Sequence, residues 1–169
     1  MFSAEIRTAP LQDSFAVSAA AVVPQKKFSF RLEHQVQNAL NVWLPLKNPL
    51  LMGPLVSYLT EVTPAVHKAL ADLHYVHFAR FMPSPDATIM WVITEYDGGL
   101  QSYMMDFVGV IGEEFTEILQ FIAGAPPLPV QSYAREFTDW IVKHNLPVDV
   151  WSAYPEDTVI DILRSARRA

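Results

Sequence analysis

The stretch 74–96, HYVHFARFMPSPDATIMWVITEY, decides the fold. Its two ends, His74 to Met82 and Thr88 to Tyr96, are rich in aromatic and β-branched residues, which suit strands. Between them Pro83-Ser84-Pro85-Asp86 supplies turn chemistry. Two strands with so short a link read as a hairpin. An antiparallel sheet with one wet face alternates apolar and polar residues, and these strands do not. In the first, one parity is Tyr75, His77, Ala79 and Phe81, and the other is Val76, Phe78, Arg80 and Met82. In the second, Ile89, Trp91, Ile93 and Glu95 oppose Met90, Val92, Thr94 and Tyr96. Both faces are mostly apolar, so both are expected to be covered. Helices can cover one. A second copy of the chain is the economical cover for the other, because closed two-fold dimers are the commonest assembly. The expectation is a homodimer whose sheets face each other as a barrel.

Downstream, Asp97-Gly98-Gly99 turns the chain into a helix on which Tyr103, Met104, Phe107, Ile111, Phe115, Ile118, Leu119 and Ile122 recur at helical spacing. Gly124 with Pro126-Pro127 stops it. A further helix is expected from about Gln131 to His144, then a short strand from Pro147 to Ala153. A closing helix from Pro155 carries Val159, Ile162 and Leu163 and ends in Arg164, Arg167 and Arg168, which suit a helix C-terminus. Upstream, Ala39 to Leu46 reads as a strand, and Asn48-Pro49 as a helix start. Thr63-Pro64 repeats that start signal, giving a second short helix or a kinked continuation over Ala65 to Leu73. Residues 1–35 lack sustained periodicity and read as an N-terminal arm or loop preceding one α+β domain over 36–169. Without its additional helices the order is βαββαβ, the split βαβ of the ferredoxin-like fold.

The chain has 169 residues, 51 % of them hydrophobic, enough for one domain with a packed core. Only 18 % are charged, against roughly 25 % in an average soluble protein, which agrees with a surface partly covered by a partner. Twelve basic and eighteen acidic residues give a net charge of −6, which argues against nucleic-acid binding. The absence of cysteine excludes disulfides, thiolate metal sites and cysteine nucleophiles. No apolar run of about 18 residues suggests a membrane span. The run Phe15 to Val23 lacks the basic flank of a secretion signal, because Glu5 and Asp13 offset Arg7. The expected location is the cytoplasm.

The segments His77-Phe78-Ala79-Arg80-Phe81, Thr94-Glu95-Tyr96-Asp97-Gly98 and Ser102-Tyr103-Met104-Met105-Asp106-Phe107 resemble the motif set of dimeric α+β-barrel (ferredoxin-like) proteins. Val150-Trp151-Ser152-Ala153-Tyr154-Pro155, with Thr158-Val159, resembles their closing element. The likeness runs from about Val36 to Leu163. It implies the ferredoxin-like fold and the dimer. The superfamily includes dye-decolourising peroxidases, chlorite-dismutase-like haem proteins and cofactor-free monooxygenases, and members labelled as dehydrogenase or oxygenase subunits. A shared fold licenses no activity by itself.

His77, Arg80 and Tyr96 are the candidate catalytic residues. A histidine among apolar neighbours is a buried hydrogen-bonded group, a general base or a haem ligand. His74 and His77 alternate across a strand and cannot chelate one ion together. Arg80 needs a partner if buried, and Glu95, Asp97 and Asp106 are in range by sequence; its functional alternative is carboxylate binding. Asp97 also reads as a helix cap. Tyr103 and Asp106, three apart, share a helix face. With Tyr75, Trp91, Glu95 and Asp97 they form the expected ligand-binding set, and Met90, Met104, Met105 and Trp91 suggest an adaptable apolar cavity. No metal motif, phosphate loop or nucleophile elbow is present. No motif matches the haem histidine of the peroxidases, so no cofactor is expected, with haem through His77 as the alternative. Two functions remain open: a dimeric module binding a small apolar molecule, and an oxidoreductase, either haem-dependent or a cofactor-free oxygenase, or a subunit of one.

Overall fold

The computed structural model describes residues 31–168; the part of the expected N-terminal arm before position 31 lies outside the described residues. Among the described residues the fold is mixed α and β. Strand β1 (Gln37–Pro45) leads through a 3-10 turn (Pro49–Leu51) into helix α1 (Met52–Leu73), then come β2 (Val76–Pro83), β3 (Ile89–Asp97), α2 (Leu100–Leu119), α3 (Ala134–His144) and α4 (Val159–Ala166). The strands form an antiparallel sheet in the order β1-β3-β2. Residues of even number in β1 and β3, among them Leu40, Val42, Leu44, Met90, Val92 and Tyr96, are buried against the helices. Tyr103, Phe107, Ile111 and Phe115 of α2 pack onto them, with Leu55 and Leu59 of α1 and Phe137 and Ile141 of α3.

Of a second short helix and a continuation over Ala65 to Leu73, the structure takes the continuation: the region is one helix. α1 runs through Pro64, and the hydroxyls of Thr60 and Thr63 donate to the carbonyls of Val56 and Leu59 around it. A mid-helix proline removes one ladder bond. The apolar stripe Met52, Leu55, Leu59 and Val66 continues past it on one buried face, and that burial keeps the helix whole. α1 stops where His74 adopts a left-handed conformation (φ 59°), a role usually given to glycine. For this reason β2 begins at Val76, two residues later than the composition suggests.

β2 carries a bulge. Val76 pairs with Tyr96 and Phe78 with Glu95, which leaves His77 as the extra residue. Beyond it, Phe78, Arg80 and Met82 lie opposite Glu95, Ile93 and Trp91, on the sheet face away from the helices. The hairpin link is locked by Asp86, whose Oδ1 accepts from the Ser84 and Thr88 hydroxyls and from the Thr88 amide.

The strand expected over Pro147 to Ala153 is absent. The chain after α3 follows the outer side of β1 without forming a ladder. A single bridge joins Val42 and Asn145, and the Leu146 amide donates to Asn41 O. After that Pro147 has no amide to offer. Side chains take over: Asn145 Oδ1 accepts from the Asn41 amide, Gln35 Nε2 donates to Val150 O, and Gln37 Nε2 donates to Tyr154 O and Asp157 O. The Val36 amide reaches Pro155 O. α4 then starts on a capping box between Thr158 and Asp161. Its apolar residues Ile160, Ile162 and Leu163 stay exposed rather than joining the core.

Candidate functional site

The bulge in β2, the end of β3 and the segment after Pro147 border an open cavity of about 270 Å³ on the sheet face away from the helices. Gln37, His77, Phe78, Arg80, Glu95, Val150, Trp151 and Ser152 line it. A bulge re-aims a side chain, and here it sets His77 and Arg80 in one cavity wall although strict alternation would separate them.

His77 Nε2 lies 2.7 Å from Asp97 Oδ1, and each side chain is only 9 % exposed. Asp97 Oδ2 accepts from the Val159 amide at 2.8 Å, the first amide of α4. One carboxylate therefore ties the bulge to the start of α4. A carboxylate accepts, so Nε2 carries a proton, and in the neutral ring Nδ1 is then the acceptor. Next to this pair, Arg80 Nη2 donates to Glu95 Oε1 at 3.1 Å. The Arg80 side chain is 57 % exposed and that of Glu95 14 %.

Among the described residues, two buried side-chain polar atoms have no hydrogen-bond partner: Gln37 Oε1 and Glu95 Oε2. Both residues line this cavity. An acceptor left so costs about 1–3 kcal/mol, and such atoms concentrate where a site is built for a ligand or for bound water. The walls above are apolar and exposed: Phe78 is 67 % accessible and Trp151 60 %. A larger recess of about 650 Å³ between α1 and α2 is lined by Glu113, Glu114 and Glu117 with Tyr58. Burial, then the charges of Glu114, Glu117 and Glu61, push the Tyr58 phenol up. It holds neither unpartnered atom.

The expected site residues divide between the two faces. His77, Arg80, Glu95 and Asp97 come together at the cavity. Trp91 shares that face, opposite Trp43 and Met82, but stands outside the cavity lining. Tyr75, Tyr96, Tyr103 and Asp106 group on the helix side. Tyr96 and Tyr103 stack with ring centres 4.3 Å apart, and Tyr103 is within 3.2 Å of Thr94 Oγ1. Tyr75 donates to Asp106 Oδ2 at 3.0 Å. Burial raises all three phenols: Tyr103 is pushed up to about 12, Tyr75 goes higher still with help from Asp106, and Tyr96 rises against the opposing charge of Arg31. Tyr96 is a neutral, stacked core residue and is not positioned to share acid–base work with His77. Gln37 carries no sequence signal for the site, and Ser152 has none beyond its place in the closing segment. Phe78, Val150 and Trp151 stand in the segments that resemble the barrel family, without a role attached to them.

Among the described residues, no three His, Asp or Glu side chains converge as a metal-ligand set, and no helix is long and apolar enough to cross a membrane. The chain matches no family model, and neither a curated protein nor a solved structure matches it significantly.

Proposed function

We propose that this chain is a ferredoxin-like module that pairs, sheet face to sheet face, with a second copy, and that the cavity on that face binds a small, largely apolar molecule. The strand order β1-β3-β2, with residues 145–157 along the outer side of β1, supports the ferredoxin-like reading. The observation that carries the pairing is the composition of the face opposite the helices. It presents Trp43, Trp91, Ile93, Phe78 and Met82, of which Phe78 and Met82 are well exposed, around the Arg80–Glu95 ion pair. Contiguous apolar surface of this kind marks an interaction site. The exposed Trp151, which lines the cavity on that face, adds to it. Sedimentation velocity at micromolar concentration should give a dimer, and Phe78→Lys should shift it to monomer without loss of circular dichroism. A monomeric wild-type chain would refute the pairing.

Two observations support a reading without haem. The volume, about 270 Å³, falls below the roughly 300–1,000 Å³ of sites for drug-sized ligands, and His77 Nε2 is already taken by Asp97. A second reading, a cofactor-free oxygenase, rests on the His77–Asp97 pair. A carboxylate that fixes Nε2–H leaves Nδ1 to take a proton, which is the geometry of a general base. The two readings separate at oxygen uptake: a binding module consumes no oxygen when ligand is added, whereas an oxygenase does so and loses that uptake in His77→Ala.

A further inference from the structure

We propose that the cavity recognises an aromatic molecule through an N–H donor head, an amidine- or amide-like group, rather than through a carboxylate. This deepens the small-molecule reading above and rests on it.

The argument starts from Gln37. The residue is 4 % exposed. Both hydrogens of its Nε2 are committed, to Tyr154 O at 2.9 Å and Asp157 O at 2.6 Å. Those partners are carbonyls and can only accept, so the amide cannot be turned over. Its Oε1 is therefore held in place as an acceptor with nothing donating to it. Glu95 presents a second such atom. Arg80 occupies Oε1, and Oε2 is buried and unpartnered. Gln37 pairs with Asp97 and Glu95 with Ala39, so the two are diagonal neighbours on one sheet face, about 7–8 Å apart at the backbone. Both residues line the cavity, so its floor holds two fixed acceptors that have almost no surface of their own and lack donors.

The walls set the rest of the ligand. Phe78 and Trp151 flank the floor, and both are largely exposed in the single chain, so they offer apolar surface to a flat body. Arg80 stands at the rim with its side chain 57 % exposed and can move aside to admit the head group. A carboxylate would bring more acceptors to a floor of acceptors. An amidinium or primary amide brings two or more N–H groups in one plane, and the charge on Glu95 strengthens a bond to either.

Benzamidine, benzamide and benzoate share one ring and one outline while the number of N–H donors falls from the first to the last. Titration calorimetry of the full-length chain with each compound tests the proposal. Benzamidine and benzamide should bind about tenfold or more tightly than benzoate, the equivalent of one charge-assisted hydrogen bond. Glu95→Gln should remove most of the benzamidine preference, while Trp151→Ala should weaken all three alike. Benzoate binding as well as the other two would overturn the proposal and leave a small-molecule cavity of the opposite preference. An unchanged benzamidine preference in a folded Glu95→Gln protein would also overturn it. Failure of all three to bind would sink the small-molecule reading itself.

Discussion

Replacing Asp97 by Asn tests the carboxylate that joins the bulge to α4. The change keeps the shape and removes one acceptor. Asp97 now accepts twice, from His77 Nε2 at 2.7 Å and from the Val159 amide at 2.8 Å. Val159 is a backbone donor and cannot change its role, so the Asn carbonyl must turn to it. The Asn NH2 then faces His77 Nε2, two donors in contact. The ring relieves this by moving its proton to Nδ1, so that Nε2 accepts. Both bonds survive, but each falls from the charge-assisted range, about 1.5–3 kcal/mol, to the neutral range, about 0.5–1.5 kcal/mol. With both side chains only 9 % exposed, solvent screening returns little of that difference. The expected loss of stability is about 2 kcal/mol, read from urea midpoints at neutral pH. Long-range nitrogen–proton NMR correlations of the imidazole should show the Nε2–H form in the wild type and the Nδ1–H form in the variant. A variant of unchanged stability that keeps Nε2 protonated would refute the assignment of roles.

Three further outcomes follow from the core and from the segment beside β1. Phe137→Ala empties a fully buried site packed against Phe107 and Phe115 and should cost about 3–5 kcal/mol in urea unfolding. The Tyr103 phenol, raised from 10.0 to about 12 by burial, favours the fold below pH 10, and that contribution of about 3 kcal/mol is lost as pH rises from 10 through 12. Tyr103→Phe should therefore flatten the alkaline fall in stability, and an equally steep fall in the variant would count against it. Asn145→Ala takes the acceptor from the Asn41 amide and should cost about 1–3 kcal/mol, with faster hydrogen exchange at that amide; unchanged protection of Asn41 would contradict this account.

The hairpin and α2 were legible because their signals are local: β-branched runs around a proline turn, then apolar residues at helical spacing. The grouping of His77 with Arg80 was hidden by the rule that makes strands readable. Strict alternation puts an odd and an even position on opposite faces, and the single extra residue at the bulge shifts that count without a glycine or proline to announce it. The start of β2 was misplaced for a related reason, since His74 takes the left-handed conformation in which a glycine would have been a visible stop. The missing last strand shows the reverse. Pro147 to Ala153 has the composition of a strand, but Pro147 follows the Val42–Asn145 bridge and cannot extend it. Gln35, Gln37 and Asn145 then do with side-chain amides what a ladder would have done, and polar side chains substituting for backbone carry no periodicity. Tyr96 reads as an acid–base candidate and Tyr103 as a ligand contact sharing a helix face with Asp106, whereas their stacking makes them part of the core.

The segment that covers β1 has a consequence for how the protein behaves in a crowded solution. An unprotected outer strand is a template on which another chain can add its own backbone, the first step toward aggregation. The chain covers that strand with residues that satisfy β1 but are poorly suited to recruiting more: Pro147 and Pro155 interrupt the run of donors, and glutamine side chains hold the run in place from within. A protein cut after His144 would lose this cover while keeping β1 intact. Its sheet would then be exposed along a nine-residue strand, and it should seed self-association that the full chain resists.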